Sequence, residues 1–123
     1  MVGVAYTPIA GSDGGLGTLT SKLAAGVQPG ATGNTFPNTG RTILYHINAS
    51  TSNDKTLIFD TGSCNFGSDH DKTVTTVHST GTVIERYGPF KKNEFGETVH
   101  FSCGGTGGVS DVTIVVVEDP LVG

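Results

Sequence analysis

Thr42-Ile43-Leu44-Tyr45-His46-Ile47-Asn48 is the stretch on which the fold class turns. It is β-branched and aromatic, a composition that suits a pleated, half-buried surface. It ends in the turn cluster Ala49-Ser50-Thr51-Ser52-Asn53-Asp54. Lys55-Thr56-Leu57-Ile58-Phe59-Asp60 answers it as a second strand, so the pair reads as a hairpin closed by a polar six-residue loop.

Further along, residues 61–71 read as a longer loop. Residues 72–77 alternate, and so do residues 81–87; His78-Ser79-Thr80 between them is short enough for a hairpin closed near Gly81. Gly88-Pro89-Phe90 interrupts the pairing, because proline lacks a backbone donor and fixes its own φ. Asn93-Glu94-Phe95-Gly96 reads as another turn, and residues 97–102 alternate again with Val99 and Phe101 on one face. The glycine-rich stretch from Cys103 to Gly108 leads into residues 111–118, which are apolar on both faces. Such a strand lies centrally or has one side covered by a partner. The whole pattern predicts an all-β chain, a small antiparallel β-sandwich (jelly-roll or Ig-like) of about six to eight strands.

Upstream of Arg41 the texture is different. Residues 1–40 are rich in glycine, and the apolar Val4, Ile9, Leu16, Leu19, Leu23 and Val27 are too widely spaced to close a core. The chain therefore divides into an extended N-terminal arm over residues 1–40 and a β-sandwich domain over residues 41–123. Leu19 and Leu23 stand at i and i+4, which makes residues 18–26 the helical candidate, and a segment that short holds a helix only when docked. Ordering the arm's backbone costs on the order of 40 kcal/mol. At ~25 cal/mol/Å² that requires about 1600 Å² of newly buried apolar surface, or an equivalent from strand addition. The arm is accordingly expected to grip another surface, with Val4, Tyr6, Ile9, Leu16, Leu19 and Leu23 as its contact residues.

Composition narrows the function classes. Nineteen glycines and five prolines favour strands and tight turns. Seven basic residues against eleven acidic ones give a net charge of −4, and there is no basic stripe of the kind that neutralises phosphates, so nucleic acid is not an expected partner. No run of eighteen apolar residues spans a membrane, and the first eight residues lack the basic and apolar regions of a signal peptide, so the sequence reads as synthesised in the cytoplasm. Cys64 and Cys103, 39 residues apart, read as free thiols more readily than as a disulfide in that compartment.

Candidate chemistry is sparse. Asp69-His70-Asp71 places carboxylates and an imidazole together, but a calcium loop needs more oxygens and a terminal bidentate Glu, so a solvated loop tip is the better reading. His46, His70, His78 and His100 have no metal-ligand spacing, and Cys64 with His78 has no nucleophile elbow beside it. Residues 11–17 share only glycine content with a phosphate loop, and Asn48-Ala49-Ser50 is a chance glycosylation sequon. No catalytic residue, cofactor or metal is expected, and the chain is not read as an enzyme.

One ordered set of motifs rises above this background. Asn34-Thr35-Phe36-Pro37-Asn38-Thr39-Gly40-Arg41-Thr42 runs into a strand, and Tyr87-Gly88-Pro89-Phe90, Phe95-Gly96 and a final valine-rich strand follow. This order resembles that of small virion proteins of tailed double-stranded DNA bacteriophages, across roughly residues 34–117. In physical terms Phe36-Pro37 starts an extended lead-in with its aromatic under the sheet, Gly40 permits a positive φ, and Gly88-Pro89-Phe90 turns the chain and returns an aromatic to the core. The resemblance implies a capsid decoration (cement) protein on the outer surface of the icosahedral head. Its partners would be the major capsid protein and neighbouring copies of itself, with no nucleic acid and no membrane. Two other classes compete: a carbohydrate- or cell-surface-binding sandwich module, and a head–tail or tail structural component.

Overall fold

A computed structural model describes residues 3–7, 9–10, 26–60 and 72–118 of the chain. Among these residues the strands are β1 (Ile9–Ala10), β2 (Asn34–Pro37), β3 (Thr42–Asn48), β4 (Lys55–Asp60), β5 (Lys72–Thr76), β6 (Val83–Tyr87), β7 (Thr98–Gly105) and β8 (Val112–Glu118), with one short helix, α1 (Lys92–Phe95). They form two four-stranded sheets, ordered β1-β8-β3-β6 and β2-β7-β4-β5. β2 pairs with β7, β3 with β6 and β4 with β5, all antiparallel, as in a long hairpin rolled into a sandwich, while β1 joins β8 in parallel. The expected all-β sandwich is thus present, in its jelly-roll arrangement.

Two local connections differ from the sequence reading. β3 and β4 do not form a hairpin; β3 pairs with β6 and β8, while β4 pairs with β5 and β7. β5 and β6 likewise lie in different sheets. Neither connection carries the two-residue Asn-Gly type turn that would force a hairpin, so a short polar loop is free to turn a corner between sheets. The β3–β4 corner is held by Asn48, whose Nδ2 donates to Asn53 O at 3.0 Å and to Thr76 O at 3.0 Å while its Oδ1 accepts from Ser50 N at 2.9 Å. These bonds bury the Asn48 amide, so the sequon is closed to glycosylation in the fold.

β8 runs between β1 and β3, and both of its faces are buried, as its composition requires. Val112, Ile114 and Val116 enter the core between the sheets, whereas Val115 and Val117 are buried on the other face with Ile43. The core itself is zoned. At one end, Tyr6, Phe36, Phe59, Tyr87, Phe90, Phe95 and Phe101 form a continuous chain of ring contacts, including Phe36–Phe90 at 5.3 Å and Phe59–Phe90 at 5.2 Å between centroids. Edge and tilted geometries dominate, which suits the ring quadrupoles. At the other end, His46, Asn48, Thr76 and Lys55 are fully buried.

The division at Gly40 is not a boundary of the sandwich. β2 precedes it, pairs with β7 over four residues and sends Phe36 into the core. Four residues, one of them proline, gave too short a period-2 signal to read as a strand. The residues quoted as Asn93 to Gly96 form α1 and its cap rather than a simple turn, and Gly96 ends it at φ 82°.

Candidate functional site

The arm residues are built into the domain by backbone hydrogen bonds. Thr35 N donates to Val4 O at 2.9 Å and Tyr6 N donates to Thr35 O at 2.7 Å, so Ala5 bridges β2 in parallel. A few residues later β1 lies parallel to β8, with Ile9 opposite Val117. The chain thus crosses from the outer edge of one sheet to the outer edge of the other. Farther along, Val27 makes an antiparallel bridge to Ile114 of β8, the pairing direction that a rolled hairpin demands. This strap closes one side of the sandwich.

Asn34 is its clasp. Oδ1 accepts from Val4 N at 3.1 Å and Gly30 N at 2.9 Å, while Nδ2 donates to Gly30 O at 2.8 Å and Phe101 O at 3.2 Å. An amide offers both donors and acceptors, so one buried side chain satisfies backbone groups from three segments. Gly3 passes so close to Gly33 that a Cβ would meet the Gly33 carbonyl oxygen at 2.2 Å, which only glycine avoids.

Of the residues assigned to partner binding, Val4 packs against the core and Tyr6 belongs to it. Tyr6 hydroxyl donates to Val27 O at 2.8 Å, and burial first, then the neighbouring Cys103, pushes its pKa up. Ile9 is held at the β8 edge by its backbone. Leu16, Leu19 and Leu23, residues 18–25 of the helical candidate, the glycine-rich residues 11–17 and Asp69-His70-Asp71 all lie outside the described residues.

The opposite side of the sandwich ends in β5 and β6, which have no strand beyond them among the described residues. Val77 and Ile84 are exposed there. Between these strands lies the polar end of the core. His46 Nδ1 and Thr76 Oγ1 are 2.7 Å apart, and Thr76 Oγ1 is 3.4 Å from Tyr87 hydroxyl. His46 Nε2 is buried without a partner, and burial lowers the residue's pKa to about 4, so the ring is neutral. Lys55 sends Nζ to Thr106 O at 2.6 Å and Gly108 O at 2.9 Å, pinning the glycine turn between β7 and β8. On the surface nearby, Asp54 accepts from His78 N at 3.0 Å and faces its Nδ1 at 2.7 Å; the backbone bond first, then the ring, holds the carboxyl below its usual range.

Among the described residues no group of three or more His, Cys, Asp or Glu is placed to hold a metal ion. Cys103 is a buried free thiol whose pKa is pushed up to about 12 by burial. Among the described aromatics none is exposed, since the rings pack in the core or stand half-buried, and a sugar platform needs an open ring face. Sequence reasoning missed the Asn34 and Asn48 clasps and the buried Lys55, whose signal was a polar residue at the end of an otherwise apolar strand. Comparison with models of protein families, with curated proteins and with solved structures finds no match to this chain.

Proposed function

We propose that this chain is a decoration (cement) protein of a tailed double-stranded DNA bacteriophage, bound to the outside of the icosahedral head and bridging major capsid subunits, with neighbouring copies of itself on the shell. The support is the likeness of motif order, and one observation gives that likeness physical coherence. The two motif segments touch. Phe36 and Phe90 stack edge to face at 5.3 Å, and Gly88 (φ 116°) lies where a Cβ would meet Thr42 O at 2.7 Å. The lead-in and the Gly-Pro-Phe turn therefore act as one unit, so their joint recurrence has a structural reason. A fold device does not itself fix a function, and the functional content comes from the likeness.

The work proposed is binding without turnover. Co-sedimentation of the full chain with empty expanded heads, assembled from the major capsid protein of the genome that encodes it, tests the reading. Saturable binding at a fixed ratio to capsid subunits, with a raised melting temperature of the heads, is the expected result. Heads that leave the chain in the supernatant at all concentrations would overturn it.

A further inference from the structure

β8 is apolar on both faces, and each face needs a cover. The core covers the side of Val112, Ile114 and Val116. On the opposite side the register sets Val117 beside Ile43, Val115 beside Tyr45 and Thr113 beside Ile47. Arg86 and Ile84 of β6 stand next in the rows of Tyr45 and Ile47. Exposure across these rows is graded. Val115 is 1% exposed, Ile43 2% and Val117 8%, whereas Tyr45 and Ile47 are half-buried and Ile84 is 45% exposed. Apolar side chains so little exposed on an outer face lie under a cover, and that cover stops short of β6. No described strand or helix supplies it. The strands all belong to the two sheets, and α1 joins the core through Phe95, which meets Phe59 and Phe90.

The course of the chain indicates where the cover comes from. Ala10 stands opposite Glu118 and Val27 opposite Ile114. The chain therefore leaves β8 at one end of the covered stretch and rejoins it at the other, bracketing Val115 and Val117. Those two points are about 13 Å apart along the strand. Residues 11–26 could reach about 50 Å if extended, so they have ample length for an excursion over the face. Leu16, Leu19 and Leu23 recur at i, i+3 and i+7, the spacing that sets three side chains on one side of a helix. The other stretches outside the described residues are worse placed. Residues 61–71 depart from β4 and return to β5 in the other sheet, and residues 119–123 start at Glu118 and must reverse to reach Val115.

We propose that residues 11–25 of this chain dock on the outer face of the β1-β8-β3-β6 sheet, with Leu16, Leu19 and Leu23 over Val115, Val117 and Ile43. A helical turn too short to hold alone in water gains there the dock it needs. The leucines expected to grip another surface then close this one, so a partner on the shell would have to be met by other residues. The inference goes beyond the function proposed above and does not rest on it. Its test needs no heads, so either idea can fail alone.

Methyl-labelled full chain, at a concentration where sedimentation shows a monomer, is the sample. Nuclear Overhauser contacts are expected from the methyls of Leu16, Leu19 or Leu23 to those of Val115, Val117 and Ile43. They should persist when labelled chain is diluted with unlabelled chain. Contacts to that face from Leu121 or Val122 instead, contacts seen only between differently labelled copies, or no leucine contact at all would overturn the proposal. Leu19→Ser combined with Leu23→Ser should lower the melting temperature by about 5 °C or more. Ser21→Lys, on the far side of the leucine stripe, should leave it within about 1 °C. Equal melting temperatures for the two variants also overturn it.

Discussion

Taking the pH from about 8 down to about 4 should destabilise this protein through one interior side chain, His46. The ring is fully buried between the sheets, with Nδ1 on the Thr76 hydroxyl and Nε2 without a partner. On its own sheet it faces Glu85 of β6 and Ile114 of β8, and across the gap it meets Thr76 of β5, beside Tyr87. Burial lowers its pKa from 6.5 to about 4. Between those values the unfolded chain holds a proton that the folded chain does not. Stability therefore falls as the pH drops below about 6.5, and the loss from this residue is complete near pH 4. At about 1.4 kcal/mol per unit, the gap amounts to about 3 kcal/mol, a large share of a small domain's total. Asp54 works in a separate window, because its carboxyl is held below 3.8 and its contribution disappears only at lower pH.

Urea unfolding followed by far-ultraviolet circular dichroism, repeated in steps across that range, measures the effect. The informative comparison is His46→Gln, which keeps an amide for the Thr76 hydroxyl and removes the titration. The wild-type chain should lose about 3 kcal/mol more than the variant between pH 6.5 and 4, since the other ionisable groups are common to both. Parallel pH profiles for the two proteins would refute the account of His46 as a neutral buried base.

Three further outcomes follow from the strap and the polar end. Asn34→Ala should cost about 3 kcal/mol in urea unfolding, because it leaves Val4 N–H, Gly30 N–H and two carbonyls without the amide that joined them. Tyr6→Phe should cost about 1 kcal/mol by losing the bond to Val27 O, whereas Tyr6→Ala should cost about 3–5 kcal/mol by emptying a core position. Cys103 should resist iodoacetamide at mildly alkaline pH in the native protein and react once urea unfolds it, read from the mass of the peptide that contains it.

Much of the fold was legible because burial wrote a period of two into the sequence. Residues 42–48 and 55–60 were read with the bounds they have in the structure, and Phe36, Val99, Phe101 and Phe90 go to the core as their neighbours implied. Pairing partners were harder, since a short polar connection is compatible with either a hairpin or a corner. Only long-range burial decides between them; His46 and Asn48 face Thr76 across the sandwich, not the next strand in the same sheet. β1 is not marked in the sequence, and β2 only by its extended Phe36-Pro37 lead-in, for a different reason. Their order comes from edges supplied by β8 and β7, so their own residues carry little periodic signal. The polar clasps were invisible because an asparagine replacing a backbone partner looks, in sequence, like an ordinary turn residue.

The placement of the strap bears on how a partner could be gripped. A segment that lies along a neighbour must first leave its own edges, and here that means withdrawing Tyr6 from the aromatic cluster and breaking the backbone bonds to Thr35. Removing the ring alone costs about 3 kcal/mol or more, before the freed edges of β2 and β8 are counted. A neighbour would have to replace those contacts and add to them. Association through Val4, Tyr6 and Ile9 therefore exchanges one set of contacts for another. On energetic grounds the strap fastens the domain.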